Sequence, residues 1–292
     1  MSSIGLDPAR PLDDELRRVV DARLGDAHER LSRTDPERLL GDVHAVRRNL
    51  KEVRAALRLF RSGLPPAARA HLGPDLRRAA ADLATLRDAD VALTTYTDLS
   101  GPDPDRAGLA ALTRELQVAR ADADEAVAAA RTRLAAVRDT VQGCPWQLDT
   151  QVLHAGLRRT HRRARRLLGM LATPEACPEL AHEWRKQVKD TWYQMRLLAP
   201  AWPQLFDTLA GEAHRIAELL GREHDLWVLE DRLGAAGQAP APSGACGALP
   251  ADRAALRARA CAHGARLYAP SPSAFADVLL NWWQGAVRQA GP

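Results

Sequence analysis

Residues 44–60 read HAVRRNLKEVRAALRLF, five arginines and lysines against one glutamate, and Arg61 extends the basic run. At 100° per residue, His44, Arg47, Arg48, Lys51 and Arg58 share an arc of about 100°. Val46, Leu50, Val53, Leu57 and Phe60 fall on the other side, the apolar stripe of a helix that packs on a core. The basic line from His44 to Arg58 runs about 21 Å at 1.5 Å rise per residue.

The stretch recurs. Residues 182–198, HEWRKQVKDTWYQMRLL, align with it without a gap, pairing His44 with His182, Arg47 with Arg185, Arg48 with Lys186, Lys51 with Lys189 and Arg58 with Arg196. The apolar positions follow, Val46 with Trp184, Leu50 with Val188 and Leu57 with Met195. A second match, LRDADV at 86–91 with EHDLWV at 223–228, pairs Asp88 with Asp225 at an offset of 137 residues, against 138 for the first. Two segments repeated in the same order point to two related halves, about 12–141 and 147–288.

Composition sets the fold class. Of 292 residues 46% are hydrophobic but only 4% aromatic. Ala, Leu and Arg dominate, and β-branched runs are scarce, so the chain reads as all-α. Breakers such as SGLPP (62–66), SGPDPD (100–105) and APAWP (199–203) divide it. Nine helices are expected, at about 12–33, 36–61, 67–99, 106–141, 147–171, 178–198, 203–233, 251–268 and 274–288. Asp35 and Pro36 suit the start of the second. Residues 1–11 are expected to be disordered, and 234–252, rich in Ala, Gly and Pro, a flexible connection. The N-terminus has no apolar core of a secretory signal, and no run is long enough to span a membrane, so a cytoplasmic protein is expected. Cys144, Cys177, Cys246 and Cys261 form no CxxC pair and read as reduced thiols, without a metal.

A third basic segment, HAGLRRTHRRARR at 154–166, holds six arginines and no acid, with His154, Arg158, His161 and Arg165 in one row and Arg162 beside them. Residues 44–61, 154–166 and 182–198 together carry +13, so a formal net charge of +4 leaves −9 on the rest. A solvated helix face normally mixes signs, and like charges four residues apart destabilise a helix. Three such faces point to an anionic partner.

HxxRRxxKxxRxxLR at 44–58, LRDADV, RTHRRAR at 159–165, HEWRKQVKDTWYQMRLL and LLGREHDLWV at 219–228 together resemble the CHAD family, the conserved histidine α-helical domain. The resemblance implies two four-helix bundles related by a pseudo-twofold axis, with basic helices lining a central channel or groove. It also implies binding of inorganic polyphosphate, free or in granules. The matching positions are His44, Arg47, Lys51 and Arg54, then His182, Arg185, Lys186 and Lys189. Arg48, Arg58, Arg196 and the third-segment residues His154, Arg158, Arg162 and Arg165 complete the expected polyphosphate-binding set. The chain departs from the family pattern at Glu52 and at Trp192, where basic residues are common.

Two other classes compete. Basic rows also suit nucleic acid, although single-strand recognition usually needs aromatic platforms, of which these rows have few. His224–Asp225 resembles the HD pair of metal-dependent phosphohydrolases, but the matched pair in the other half is Arg87–Asp88, and arginine cannot ligate a metal. A non-enzymatic binder without a cofactor is the expectation.

Overall fold

A computed structural model describes residues 5–33, 35–100, 106–171, 178–235 and 249–291. Among them are eleven α-helices and no strand. The first half holds α1 (Leu12–Leu31), α2 (Leu39–Leu59), α3 (Pro66–Asp82), α4 (Ala84–Ser100), α5 (Arg106–Ala121) and α6 (Ala123–Gly143). The second holds α7 (Thr150–Leu171), α8 (Pro178–Leu198), α9 (Pro203–Ala235), α10 (Leu249–Leu267) and α11 (Pro272–Ala290). Cys177, Cys246 and residues 236–248 of the expected flexible connection lie outside the described residues.

The helix starts carry the repeat further than the motifs do. α1 and α7 begin 138 residues apart, as do the short 3-10 turns Arg61–Gly63 and Ala199–Ala201, and α3 and α9 begin 137 apart. The halves differ in continuity. A single helix was expected over 67–99, but the chain leaves helical geometry at Leu83 (φ −93°, ψ 7°), which is buried in the core. The matching Leu220 lies within the unbroken 33-residue α9. The expected helix 106–141 breaks in the same way at Asp122 (φ −90°, ψ 3°). At the start of α2, the Asp35 carboxylate accepts from the Glu37 N–H at 3.0 Å, and the helix proper begins at Leu39.

The expected disorder of 1–11 is corrected for residues 5–11. Leu6 is wholly buried, and its N–H donates to the Leu197 carbonyl at 2.7 Å. Asp7 N–H reaches Glu15, and Arg18 donates to the Gly5 carbonyl. One apolar side chain with the adjacent backbone hydrogen bonds fixes the segment on the core.

α2 and α8 sit centrally and pack on each other, α2 also against α1 and α8 also against α7 and α9. Their apolar stripes are buried as expected, Val46, Leu50, Val53 and Phe60 in one cluster and Trp184 and Val188 in another. α7 crosses the end of α2 closely. A Cβ on Gly156 would lie 1.9 Å from the Leu59 carbonyl oxygen, so only glycine fits there.

Candidate functional site

The basic faces of α2 and α8 meet around a cavity of about 280 Å³. α2 supplies Arg47, Lys51, Arg54 and Arg58, α8 supplies His182, Arg185, Lys186 and Lys189, α4 adds Arg87 and α9 adds His224. Eight arginines and lysines thus face two aspartates, Asp88 and Asp190. An adjoining cavity of about 320 Å³ shares Arg47, Lys51, Arg87, Arg185 and Lys189 and extends past Arg48 to His44, which is exposed at its edge. A third, larger space of about 760 Å³ beyond His44 is lined by Asp90, Asp98, Asp225 and Asp252, a poor setting for an anion.

The side chains are positioned by matched contacts. Arg47 donates to the Ala80 carbonyl, and Arg185, its counterpart, donates through Nε to the carbonyl of Ala217, 137 residues further on, at 3.4 Å. Gly221 leaves room for this guanidinium, since a Cβ there would fall 2.8 Å from Arg185 Nη2. Arg87 donates to Asp88 at 2.8 Å and lies 3.8 Å from Asp225. Lys186 is held by Glu183 at 2.5 Å. The imidazoles of His182 and His224 lie 4.6 Å apart.

Crowding like charges into a partly desolvated space penalises the charged forms. Burial, with Arg47, Arg87 and Arg185 nearby, pushes Lys51 down to about 8. Burial beside Arg185, Lys51 and Arg87 pushes Lys189 down to about 6. Arg54 falls to about 10 through burial and then Arg58, and His224 falls to about 4 through burial and the neighbouring His182. His182 is also lowered, chiefly by burial, and so is His44, whose solvent-facing ring is still partly desolvated and lies near Lys51 and Arg48. The Nε of Arg47, the Nε of Arg54 and the Nδ1 of His182 are buried without a hydrogen-bond partner. Such a site gains from any group that brings negative charge and acceptor oxygens.

Glu52 takes a definite place. It is buried between Arg23 of α1 at 2.8 Å and Arg196 of α8 at 3.2 Å. Arg196 is therefore turned away from the cavity, and its guanidinium also lies 5.7 Å from the Trp192 ring centroid. The third-segment residues of the expected set stand apart from this lining. His154, Arg158, Arg162 and Arg165 line neither basic cavity, because α7 lies against α2, α8 and α11 with that row turned towards α11 and the outside. His154 bonds Asp277 at 2.7 Å, Arg165 donates to the Pro270 carbonyl at 3.0 Å, and His161 is buried against Phe275.

The expected set omits Arg87, His224, Tyr193 and Asp190. Arg87 and His224 occupy matched positions in the second repeated motif, so that repeat marks both. Their surroundings also weigh against a cation: Arg87 and Arg185 both act on His224. Among the described residues no group of three or more His, Cys, Asp or Glu is arranged to hold a metal ion. Among the same residues no helix is long and apolar enough to cross a membrane.

A basic cavity between repeated helices of an all-α fold defines a class of protein that comparison identifies. The CHAD domain family matches residues 22–234, and the chain belongs to that family. Its fold is similar to the CHAD domain from the plant Ricinus communis, with TM-score 0.59 and 21% identity over 97% of this chain and 95% of that one. It is likewise similar to PptA from Streptomyces chartreusis, with TM-score 0.58 and 18% identity over 96% of this chain and 99% of that one. No curated protein matches it in sequence.

Proposed function

We propose that this protein binds inorganic polyphosphate without turning it over. The basic cavity is the site, at the junction of two four-helix bundles related by a pseudo-twofold axis. The observation that carries this reading is the convergence of Arg47, Lys51 and Arg54 from one repeat with Arg185, Lys186 and Lys189 from the other. Two matched rows facing one space suit a linear, flexible polyanion better than a compact one. Arginine forks grip phosphate oxygens bidentately, and the lysines add point charges. Burial and the surrounding cations disfavour protonation of His182 and His224 in the empty site, and a phosphate chain would favour it, making both donors.

A carboxylate-assisted or metal-assisted route to turnover finds little support in the lining. Asp190 is committed to Arg58 and Asp88 to Arg87, and the surroundings disfavour a divalent cation. The partner is polyphosphate of the cytoplasm, free or in granules. Nucleic acid is a weaker fit, because Trp192 is stacked between Tyr193 and His214, at 4.6 and 4.1 Å, and offers no free face to a base.

Titration of the protein with polyphosphate at low salt tests the reading. Arg47→Glu and Lys189→Glu are expected to abolish tight binding while circular dichroism stays helical. Unchanged affinity in both variants would refute the site. Phosphate release from polyphosphate that is lost on adding EDTA and in His224→Ala would refute the non-enzymatic reading. Displacement of polyphosphate by RNA at equal charge concentration would favour nucleic acid.

A further inference from the structure

The arginines of α7 are left without a role by the cavity. Placed at 100° per residue, Arg165, Arg158, Arg162, Arg166, Arg159 and Arg163 follow one another across about 160° of the helix. All but Arg159 are exposed. Arg158, Arg162 and Arg166 are spaced four apart with no acid between them, which destabilises a helix unless something neutralises them. The fan starts at the mouth of the cavity. Arg163 lies 3.8 Å from Glu183, whose other oxygen holds Lys186 of the cavity lining. Arg159 donates to the carbonyl of Arg58, another lining residue. At the far side Arg165 reaches the Pro270 carbonyl at the turn before α11. The cavity of about 280 Å³ and the adjoining one of about 320 Å³ still hold only a short length of a long chain.

We propose that the outer face of α7 is an exterior track for the part of a polyphosphate chain that protrudes from the cavity. This rests on the cavity reading above. The track makes the protein select long chains: a short oligomer satisfies the cavity, and a long one leaves past Lys186 and Arg163 and lies across Arg166, Arg162 and Arg158. The observations favour polyphosphate over RNA, because the exposed face of α7 has no Phe, Tyr or Trp on which a base could stack, and its His154 ring is engaged by Asp277.

The test compares tripolyphosphate with long-chain polyphosphate on the full chain. The triple variant Arg158→Gln, Arg162→Gln, Arg166→Gln changes exposed side chains only. Arg69→Gln, Arg114→Gln, Arg131→Gln, also exposed, is the control of equal charge. The α7 variant is expected to bind tripolyphosphate as the wild type does but long chains tenfold or more weakly. Its salt slope for long chains should be shallower by about 2, the share of three phosphate contacts. The control should match the wild type on both ligands. Equal loss for both chain lengths, loss for neither, or an equal loss in the control would overturn the track. So would a variant that loses single-stranded RNA binding and keeps long-chain polyphosphate. A wild type that binds neither phosphate ligand would instead overturn the cavity reading.

Discussion

Arg58 of α2 donates to both carboxylate oxygens of Asp190 on α8, and the residues matched to them answer in reverse, Arg196 of α8 donating to Glu52 of α2. Each basic helix thus carries an acid one residue after its cavity lysine and an arginine six residues beyond that acid, and each arginine takes the other helix's acid. These reciprocal bridges cross between the repeats and fix how α2 and α8 face each other.

Breaking one bridge should lower stability while leaving the other intact. Asp190 and Glu52 are nearly wholly buried, whereas Arg58 is 37% exposed, so the cost is moderated by solvent. A double-mutant cycle on Arg58→Ala and Asp190→Ala, followed by urea denaturation, is expected to give a coupling of about 0.5–3 kcal/mol. Asp190→Asn should do something the other cavity variants do not, weakening the fold while tightening polyphosphate, because it removes a negative charge from the lining. A coupling near zero would leave the pair without an orienting role.

The empty protein should become more stable as pH rises. Lys189 at about 6 and Lys51 at about 8 lie below the ordinary 10.5. The unfolded chain therefore binds more protons than the folded one between these values and 10.5, and stability rises with pH across that window. Denaturation at pH 6, 7.5 and 9 measures the trend. Basic denaturation of other groups is separated by repeating the series on Lys189→Met, which should flatten the lower part of it.

Binding should take up protons, the opposite linkage. A phosphate chain beside Lys189, Lys51 and His182 raises all three, so affinity falls as pH is increased from about 6 to 9. Calorimetry in buffers of different ionisation enthalpy should show net proton uptake at pH 7.5. Release, or no exchange, would mean the chain does not approach these groups.

Affinity should fall steeply with salt. If six cations are neutralised, the single-strand relation predicts a slope near −4, a loss of roughly a hundredfold or more between about 50 and 200 mM. Arg185→Gln, which removes one positioned donor, should cost about 1.5–3 kcal/mol of binding.

Gly156→Ala places a methyl against the Leu59 carbonyl and must push α7 away from α2. A loss of about 1–3 kcal/mol is expected, seen as a lowered urea midpoint. An unchanged midpoint would show that the crossing yields easily.

The halves of the fold were legible at different depths. The stripe and basic arc of α2 and α8 could be read because both depend only on helical periodicity within one segment. The direction of the α7 row could not, since four neighbouring helices decide which arc of α7 is covered. Glu52 looked like a departure from a basic pattern for the same reason: its partners, Arg23 and Arg196, come from two other helices. Alignment of Glu52 with Asp190 in the repeat was the available signal. The breaks at Leu83 and Asp122 carry no glycine or proline; Asp122 with Glu125 three residues on is a helix-start signal, although its side chain makes no cap hydrogen bond, and nothing local announces Leu83.

The carboxylates that clasp the cavity's cations have a consequence for selectivity. Asp190 on Arg58, Asp88 on Arg87 and Glu183 on Lys186 are counter-ions built into the chain. The cavity therefore resembles a preloaded ion-exchange resin. A chloride or a single orthophosphate gains little by competing with one tethered carboxylate, whereas a polymer confronts several clasped cations at once and loses its own mobile counter-ions in the exchange. If the cavity takes polyphosphate as proposed, valence along the chain, more than affinity at any one phosphate, sets what is selected.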